Sequence, residues 1–165
     1  MAVNPIRGAM VVPAISLVLS LLSALAAHQV SANPSGDPLV VEAWLSTAGP
    51  YGDVWSAKLA ADGRLQLQVL RTSGEVNGVF QLTGIQMANL RSVIHAQSFF
   101  KLPAQITPTT VALHEPDFRL EVKSGGHVHK VALYSPEDLA KDINARRFLE
   151  VWKAVFAPLP VKPAW

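Results

Sequence analysis

The amino-acid sequence predicts an α+β domain built on an antiparallel sheet. Three observations support this class. Short segments alternate apolar and polar residues, glycine-containing turns separate them, and two longer stretches follow helical spacing. The segments occur in the order ββββ-α-ββ-α, and strands that cluster in this way are typical of α+β proteins. We therefore expect a four-strand meander and a β-hairpin, packed by two or three helices.

Four strands are predicted in the first part of the domain. The alternation is clearest in residues 65–69, where leucine and valine alternate with glutamine. The preceding Asp62 and Gly63 predict a type I′ hairpin turn, because both residues tolerate positive φ. Residues 46–53 and 72–78 hold glycine, proline or asparagine and are predicted to be connections. The four predicted strands cover residues 39–45, 55–59, 65–69 and 79–82.

The first helix has a capping pattern at its start. Thr83 is the predicted N-cap, and Gln86 completes a capping box in which each side chain bonds the backbone of the other residue. Leu82 and Met87 occupy the two positions of a hydrophobic staple. An apolar stripe at helical spacing is expected to pack against the sheet, and it comprises Met87, Leu90, Val93 and Ile94.

A hairpin is predicted after a threonine- and proline-rich loop at residues 104–111. Residues 117–123 alternate apolar with charged side chains, so the apolar ones should face the core. Gly125 and Gly126 predict a tight turn, and residues 127–134 should return as the partner strand. This hairpin completes the predicted sheet.

The last helix is predicted to begin at Ser135. A serine N-cap, a proline at position 136 in the first turn, and acidic residues directly after it are all favourable at a helix start. The same arrangement gives the neighbouring carboxylates of Glu137 and Asp138 a structural explanation. The helical spacing continues to Phe156, as one helix or two, and a proline-rich tail follows it.

The chain begins with the composition of a secretory signal. Its first 26 residues include 18 apolar ones, and their only charged side chain is Arg7. Small residues at 24–26 offer an A-x-A cleavage site, and residues 30–32 offer a later one. Pro13 limits the uninterrupted apolar helix to a length that is short for a membrane span. The alternative is an uncleaved anchor that tethers the domain to a membrane.

The predicted organisation is a signal peptide at 1–26, a linker at 27–38, one domain at 39–157 and a tail at 158–165. The linker is rich in asparagine, serine, glycine and proline. Because no cysteine follows the apolar run, a lipid-modified bacterial N-terminus is excluded. This layout predicts a bacterial protein that is periplasmic or secreted, with a membrane contact only if the leader stays uncleaved.

The composition excludes several classes of chemistry. The 165 residues contain no cysteine, so disulfides, thiol nucleophiles and cysteine-based zinc sites are excluded. The formal net charge of +2 is too small for the basic field that nucleic-acid binding requires. Neither a Gly-x-Ser-x-Gly motif nor a phosphate-binding glycine loop occurs. We therefore predict no nucleic-acid partner and assign no catalytic residue.

The residues best suited to a metal are histidines near the second hairpin. His127 and His129 lie two apart on a predicted strand, so both project from one face. His114 and Glu115 precede the partner strand, and the four side chains would hold zinc or nickel if they converge. Alternation also places both on the inward face with the apolar residues of that strand, and the alternative to a metal site is that His127 lies at the rim of the turn while His129 is partly buried or at the solvent edge. Glu115 and Asp117 form a carboxylate pair without a capping role, which gives a hydrolytic alternative.

Several turn and cap features occur in order along the predicted domain: a glycine-rich loop at 48–52, Asp62 and Gly63, Gly78, Phe99 and Phe100 with Leu102, and a glycine turn in the second hairpin. This order resembles a family of small exported bacterial domains of unknown function, over about residues 39–156. The resemblance implies the predicted fold and export. It implies no catalytic residue, because that family has none assigned. The chain departs from relatives that carry cysteine near the glycine-rich loop.

We expect a non-enzymatic exported domain that binds a protein or an envelope component. Binding residues commonly lie on loops that a rigid scaffold presents, and a protease inhibitor is one version of this hypothesis. A metal-binding or hydrolytic protein that uses the histidine cluster is the alternative, with zinc as its cofactor. The loop residues predicted to bind are Gly49, Pro50, Tyr51, Gly52 and Asp53.

Overall fold

The computed structural model describes residues 37–47, 52–109, 117–161 and 163. These residues form a mostly antiparallel sheet with two α-helices, which confirms the α+β class. The predicted signal peptide and most of the predicted linker lie outside the described residues. Within them, no helix is long and apolar enough to cross a membrane.

The described residues contain seven strands, two α-helices and one 3-10 turn. The strands are β1 (Val40–Ser46), β2 (Val54–Leu59), β3 (Arg64–Arg71), β4 (Gly74–Gln81), β5 (Gln105–Ile106), β6 (Asp117–Ser124) and β7 (His127–Tyr134). The helices are α1 (Gly84–Ala96) and α2 (Ile143–Phe156), and the 3-10 turn covers Phe99–Lys101.

The strands lie in the order β4-β3-β2-β1-β6-β7-β5 across the sheet. The first four form the predicted meander, and β6 returns beside β1, so the β6–β7 hairpin extends the sheet on that side. All pairings are antiparallel except the short parallel pairing of β5 with β7. Strand β1 therefore lies in the middle, where side chains from the meander and the hairpin meet.

The edge strand β4 is longer than predicted. The prediction that residues 72–78 form a connection is wrong. Only Thr72 and Ser73 form the turn, and Gly74 already pairs with Arg71. Most side chains of β4 are exposed, so it lacks the buried alternation by which a strand is recognised. Strand β5 lies in a segment that is predicted to be a loop. The sequence contains no sign of this strand, because two residues are too few to show an alternation pattern.

Two of the hairpins, β2–β3 and β6–β7, use different turns. Gly63 has a φ of +84°, but Asp62 has no positive φ, so a type I′ turn is wrong there. The amide of Gly63 donates to the carbonyl oxygen of Ala60 at 3.0 Å, as in a type I turn that ends in a left-handed glycine. Gly125 and Gly126 have φ values of +57° and +75°, the pair of positive values that a type I′ turn requires.

The helix caps agree with the sequence at α1 and differ at α2. The Oγ1 of Thr83 accepts from the amide of Gln86 at 3.2 Å, and the amide of Thr83 donates to the Oε1 of Gln86 at 2.8 Å. The prediction that the last helix begins at Ser135 is wrong, because the φ of Ser135 is +47° and an N-cap needs an extended backbone. Asp142 is the N-cap instead, and its carboxylate accepts from the amide of Ala145 at 2.8 Å.

The core lies between one face of the sheet and the two helices. Helix α2 places Trp152 at its centre, with the ring centroid 5.1 Å from that of Phe118 and 4.9 Å from that of Phe156. Leu159, which belongs to the predicted tail, is buried as well. Three residues of the predicted apolar stripe on α1 are buried in this core, and they are Met87, Leu90 and Ile94.

Candidate functional site

The face of the sheet turned away from the helices carries a groove of about 620 Å³. Strands β1, β2, β6 and β7 line it, together with Ala104 and Gln105 beside β7. This volume lies within the range of known ligand sites. We call this surface the open face, and its central side chains are Glu42, Trp44, Lys58, Arg119, Glu121 and Lys130.

Strand register brings the open-face side chains together from distant parts of the sequence. On β1, Glu42 and Trp44 alternate with buried residues, so they project away from the core. Glu42 lies opposite Lys58 of β2 and opposite Glu121 of β6, while Trp44 lies opposite Arg119. Directly opposed residues have Cβ atoms about 4.5–5.5 Å apart, so these side chains are within reach of one another.

Trp44 and Arg119 form the centre of the open face. The guanidinium carbon of Arg119 lies 4.7 Å from the centroid of the Trp44 ring. A cation–π contact of this kind contributes about 0.5–1 kcal/mol at an exposed site. Arg119 is exposed and Trp44 is half-buried. The contact therefore holds a flat cationic group at the surface of the groove.

Glu121 organises two lysines on the same face. Its carboxylate lies 2.6 Å from the Nζ of Lys130 and 2.9 Å from the Nζ of Lys123. The hydrogen bonds from Lys130 and then Lys123 hold the pKa of the Glu121 carboxyl below its ordinary value of 4.5, and the same contact raises the pKa of Lys123. Glu121 is therefore ionised at neutral pH and fixes both ammonium groups.

Positive charge exceeds negative charge among these side chains. The two carboxylates of Glu42 and Glu121 face four cations, and Glu121 is already bonded by two of them. An ammonium group has three donors, and the side chain of Lys130 is 74% exposed, so donors remain toward the solvent. The four cations are Lys58, Arg119, Lys123 and Lys130.

The loop predicted to bind a partner lies at one end of β1 and β2, and only its last two residues are described. A Cβ at Gly52 would overlap the carbonyl group of Thr47, so the chain approaches itself closely there. The carbonyl oxygen of Asp53 accepts from the amide of Thr47 at 3.0 Å, and its carboxylate accepts from the Nε of Arg71 at 3.1 Å. The base of the loop is therefore held in place. A binding role stays a prediction, because three of its residues lie outside the described ones: Gly49, Pro50 and Tyr51.

His129 packs against the 3-10 turn on the helix-covered side of β7. Its Nε2 lies 2.9 Å from the carbonyl oxygen of Leu102, which only accepts, so this nitrogen donates. The imidazole lies edge-on to the ring of Phe99, with centroids 5.7 Å apart. These contacts are those of a structural histidine that closes the sheet against the turn.

The predicted metal cluster is described only in part. His127 is exposed beside the ring of Phe100, with centroids 6.3 Å apart, and it projects from the same face of β7 as His129. His114 and Glu115 lie outside the described residues. Among those that the structure describes, no three metal-ligating side chains are close enough to share an ion. A zinc site stays a prediction.

The alternation of side chains along β1 is a sequence signal for the open face, and the apolar composition of this segment does not reveal it. Residues 39–45 are predicted to be a strand because they form an apolar run, and such a run does not assign Trp44 to either face. Strict alternation instead assigns Trp44 to the same side as Glu42 and opposite to Ala43, which is where the structure places it. The contact of Trp44 with Arg119 depends on pairing between β1 and β6, and no local pattern encodes that pairing.

Comparison with known proteins identifies no family for this chain. No protein-family model matches the chain, and no curated protein sequence matches it. The resemblance to small exported bacterial domains, like export itself, stays a prediction. The function is therefore inferred from the open face and its charges.

Proposed function

We propose that this chain is an exported, non-enzymatic domain that binds an acidic segment of another protein on the open face of its sheet. The observation that carries the proposal is the excess of cations among the described side chains around the Trp44–Arg119 pair, in a groove that no described helix or strand covers. Charge complementarity across an interface mainly speeds association and selects partners. An acidic segment is the partner that these charges favour.

The groove offers an acidic segment both charged and apolar contacts. Lys58 is exposed and Lys130 keeps donors toward the solvent, so both can donate to carboxylates. Glu121 holds Lys130 in place before binding, which lowers the entropy lost when the partner arrives. The part of the Trp44 ring that remains accessible supplies apolar area between the cations.

The lowered pKa of Glu121 supports a binding role for this carboxylate rather than a role in acid–base catalysis. A general acid or base works best with a pKa near the operating pH. The pKa of Glu121 is lowered from its ordinary 4.5 by its two lysines, which moves it further from neutrality. Its carboxylate acts as an anchor for the lysines in this proposal.

A labelled oligoglutamate peptide tests the proposal, with an oligolysine peptide of equal length as its counterpart. We expect fluorescence anisotropy to show binding of the acidic peptide and no binding of the oligolysine peptide. The affinity for the acidic peptide should fall as the salt concentration increases. Lys58→Glu and Lys130→Glu should each weaken binding on the order of fivefold, the size of one exposed charge pair. Lys141→Glu is the matched control, because Lys141 is exposed and does not line the groove.

Each other result contradicts the proposal in a recognisable way. Equal weakening by Lys141→Glu would mean that the peptide responds to net charge and not to the groove. Lysine-dependent binding of anionic vesicles or envelope glycans without peptide binding would replace the protein partner by an envelope component. Loss of binding in Tyr51→Ala, with Lys58→Glu unaffected, would move the site to the glycine-rich loop.

A further inference from the structure

We propose that two copies of this chain pair through the outer edge of β4 and form one continuous antiparallel sheet. The inference is independent of the proposed function, because it concerns the edge of the sheet and not the open face. In the described part of the chain, no element pairs with the outer side of β4. Eight residues of extended backbone therefore border solvent there.

The opposite edge of the sheet is partly covered, over the last residues of β7. Strand β5 pairs with the end of β7, and the amide of Ala132 donates to the carbonyl oxygen of Ala104 at 2.9 Å. Further along β7, the imidazole of His129 bonds to the carbonyl oxygen of Leu102 at 2.9 Å. Strand β4 therefore offers the longer unpaired edge among the described residues, and we take it as the edge at which another strand adds.

The backbone groups of alternate β4 residues point away from β3. Arg71 and Gly74 flank a two-residue turn, so they form a hydrogen-bonded pair. At the other end, the amide of Leu82 donates to the carbonyl oxygen of Gly63 at 2.9 Å. Even-numbered residues of β4 therefore bond to β3, and the outward groups belong to Glu75, Asn77, Val79 and Gln81.

Strand β4 lacks the features that usually prevent edge pairing. Proteins protect such edges with proline, lysine, bulges or very short strands. All eight residues of β4 pair with β3 in a continuous register, and Glu75 is its only charged residue. That carboxylate is bonded at 2.8 Å by both Gln68 and Asn77. Val79 is 66% exposed and Val76 is 47% exposed, so the edge carries apolar surface.

A second copy fits this edge without placing like charges together. A two-fold axis normal to the sheet makes the paired strands antiparallel and places one residue opposite itself. With Gly78 on the axis, Val76 lies opposite Phe80 of the second copy, and Glu75 lies opposite Gln81. The outward backbone groups of both strands then bond to each other.

Phe80 adds apolar surface beside that axis. A Cβ built on Gly78 would lie 2.7 Å from the Cε2 of Phe80, so the aromatic ring lies over the glycine. A dimer with its axis at Gly78 therefore brings two such rings near each other on the helix-covered side of the sheet. The second copy supplies both the hydrogen-bonding partner and the apolar contact that this edge lacks.

Sedimentation velocity over a concentration series tests the pairing, using the protein purified from cells that express the full chain. We expect a monomer–dimer equilibrium that shifts to dimer as concentration rises. Hydrogen exchange provides a second measurement that needs no variant. The outward amides of Asn77, Val79 and Gln81 should become protected as dimer forms, while that of Gly78 is protected at every concentration.

Two variants place the dimer on this edge. Val79→Lys adds a charge to the outer strand, and Gln66→Lys is its matched control, because Gln66 pairs with Val79 one strand further in. Asn77→Pro removes an outward donor that β3 does not use. We expect both β4 variants to be monomeric at concentrations where the Gln66→Lys variant and the unsubstituted protein are dimeric.

Three results would overturn the proposal. One is an unsubstituted protein that stays monomeric throughout the concentration series, which would leave the edge for a strand of a different partner. Another is a dimer that persists in both β4 variants, which would place the interface elsewhere. The third is amide exchange at Asn77 and Val79 that does not change as dimer forms.

Discussion

On the helix-covered face of the sheet, side chains from six strands form a core with α1 and α2 and are almost completely buried. On the open face, four of these strands present lysine, glutamate, arginine and one tryptophan around a groove. The two faces alternate residue by residue along β1, β2 and β6, so neighbours in sequence contribute to opposite faces. This difference indicates that stability and partner binding depend on separate sets of side chains.

The two tryptophans on opposite faces give the largest expected contrast. Trp152→Ala should cost about 3–5 kcal/mol in free energy of unfolding, because it leaves a cavity among buried rings. Trp44→Ala should cost less than about 2 kcal/mol, because the ring is half-buried and loses a cation–π contact of about 0.5–1 kcal/mol. Urea unfolding measures both.

Binding of the acidic peptide should respond in the opposite order. Trp44→Ala removes apolar area from the groove and should weaken binding in a protein that is still folded. If the two substitutions had similar costs in stability, the separation between the faces would be wrong. Near-ultraviolet circular dichroism of Trp44→Ala serves as the control for intact packing around the remaining tryptophans.

Local patterns predicted much of the fold, because several elements depend on neighbours in sequence. The capping box of Thr83 and Gln86 involves residues three apart, and the structure contains both of its hydrogen bonds. The alternation in β3 and β6 likewise reflects which face is buried. The start of α2 was less accessible to such reasoning, because Ser135 and Asp142 are both good N-cap residues. The left-handed backbone at Ser135, which follows β7 directly, decides between them.

Features that leave no local sequence pattern could not be predicted. Strand β4 has one neighbour and little burial, so its residues carry no inward pattern. The two residues of β5 form a strand only because β7 lies beside them. The open face needs the register between β1 and β6 to bring Arg119 to Trp44. The sequence contained these residues, but their juxtaposition arises from tertiary structure.

A cation on the helix-covered side should matter more for stability than a cation on the surface. The Nε of Arg147 donates to the carbonyl oxygen of Gln97 at 2.7 Å, and its Nη2 donates to that of Ser98 at 3.3 Å. Arg147→Ala leaves the carbonyl groups at the end of α1 without these donors and should cost about 1–3 kcal/mol. Its exposed neighbour is the control, and Arg146→Ala should change stability by about 0.5 kcal/mol or less. Equal costs in urea unfolding would contradict a clamping role.

The open face should contribute a smaller, pH-dependent stabilisation through Glu121. Its folded-state pKa lies below the ordinary 4.5, so the unfolded chain takes up its proton first as the pH falls. The contribution is therefore complete above about pH 5 and is lost as acid protonates the folded carboxyl. The melting temperature of the unsubstituted protein should therefore decrease as the pH is lowered below about 5.

Glu121→Gln isolates this contribution, because glutamine keeps the shape of the side chain and has no charge to lose. The variant should be slightly less stable at neutral pH and should lose less melting temperature on acidification. Glu75 also has a lowered pKa, from the amides of Gln68 and Asn77, so part of the acid slope remains in the variant. Glu75→Gln should remove that part, and the two changes should add, because independent titrations contribute separately. Identical acid slopes for the unsubstituted protein and Glu121→Gln would mean that the lysines of the open face are not held by Glu121, and their preorganisation for an acidic partner would then lose its basis.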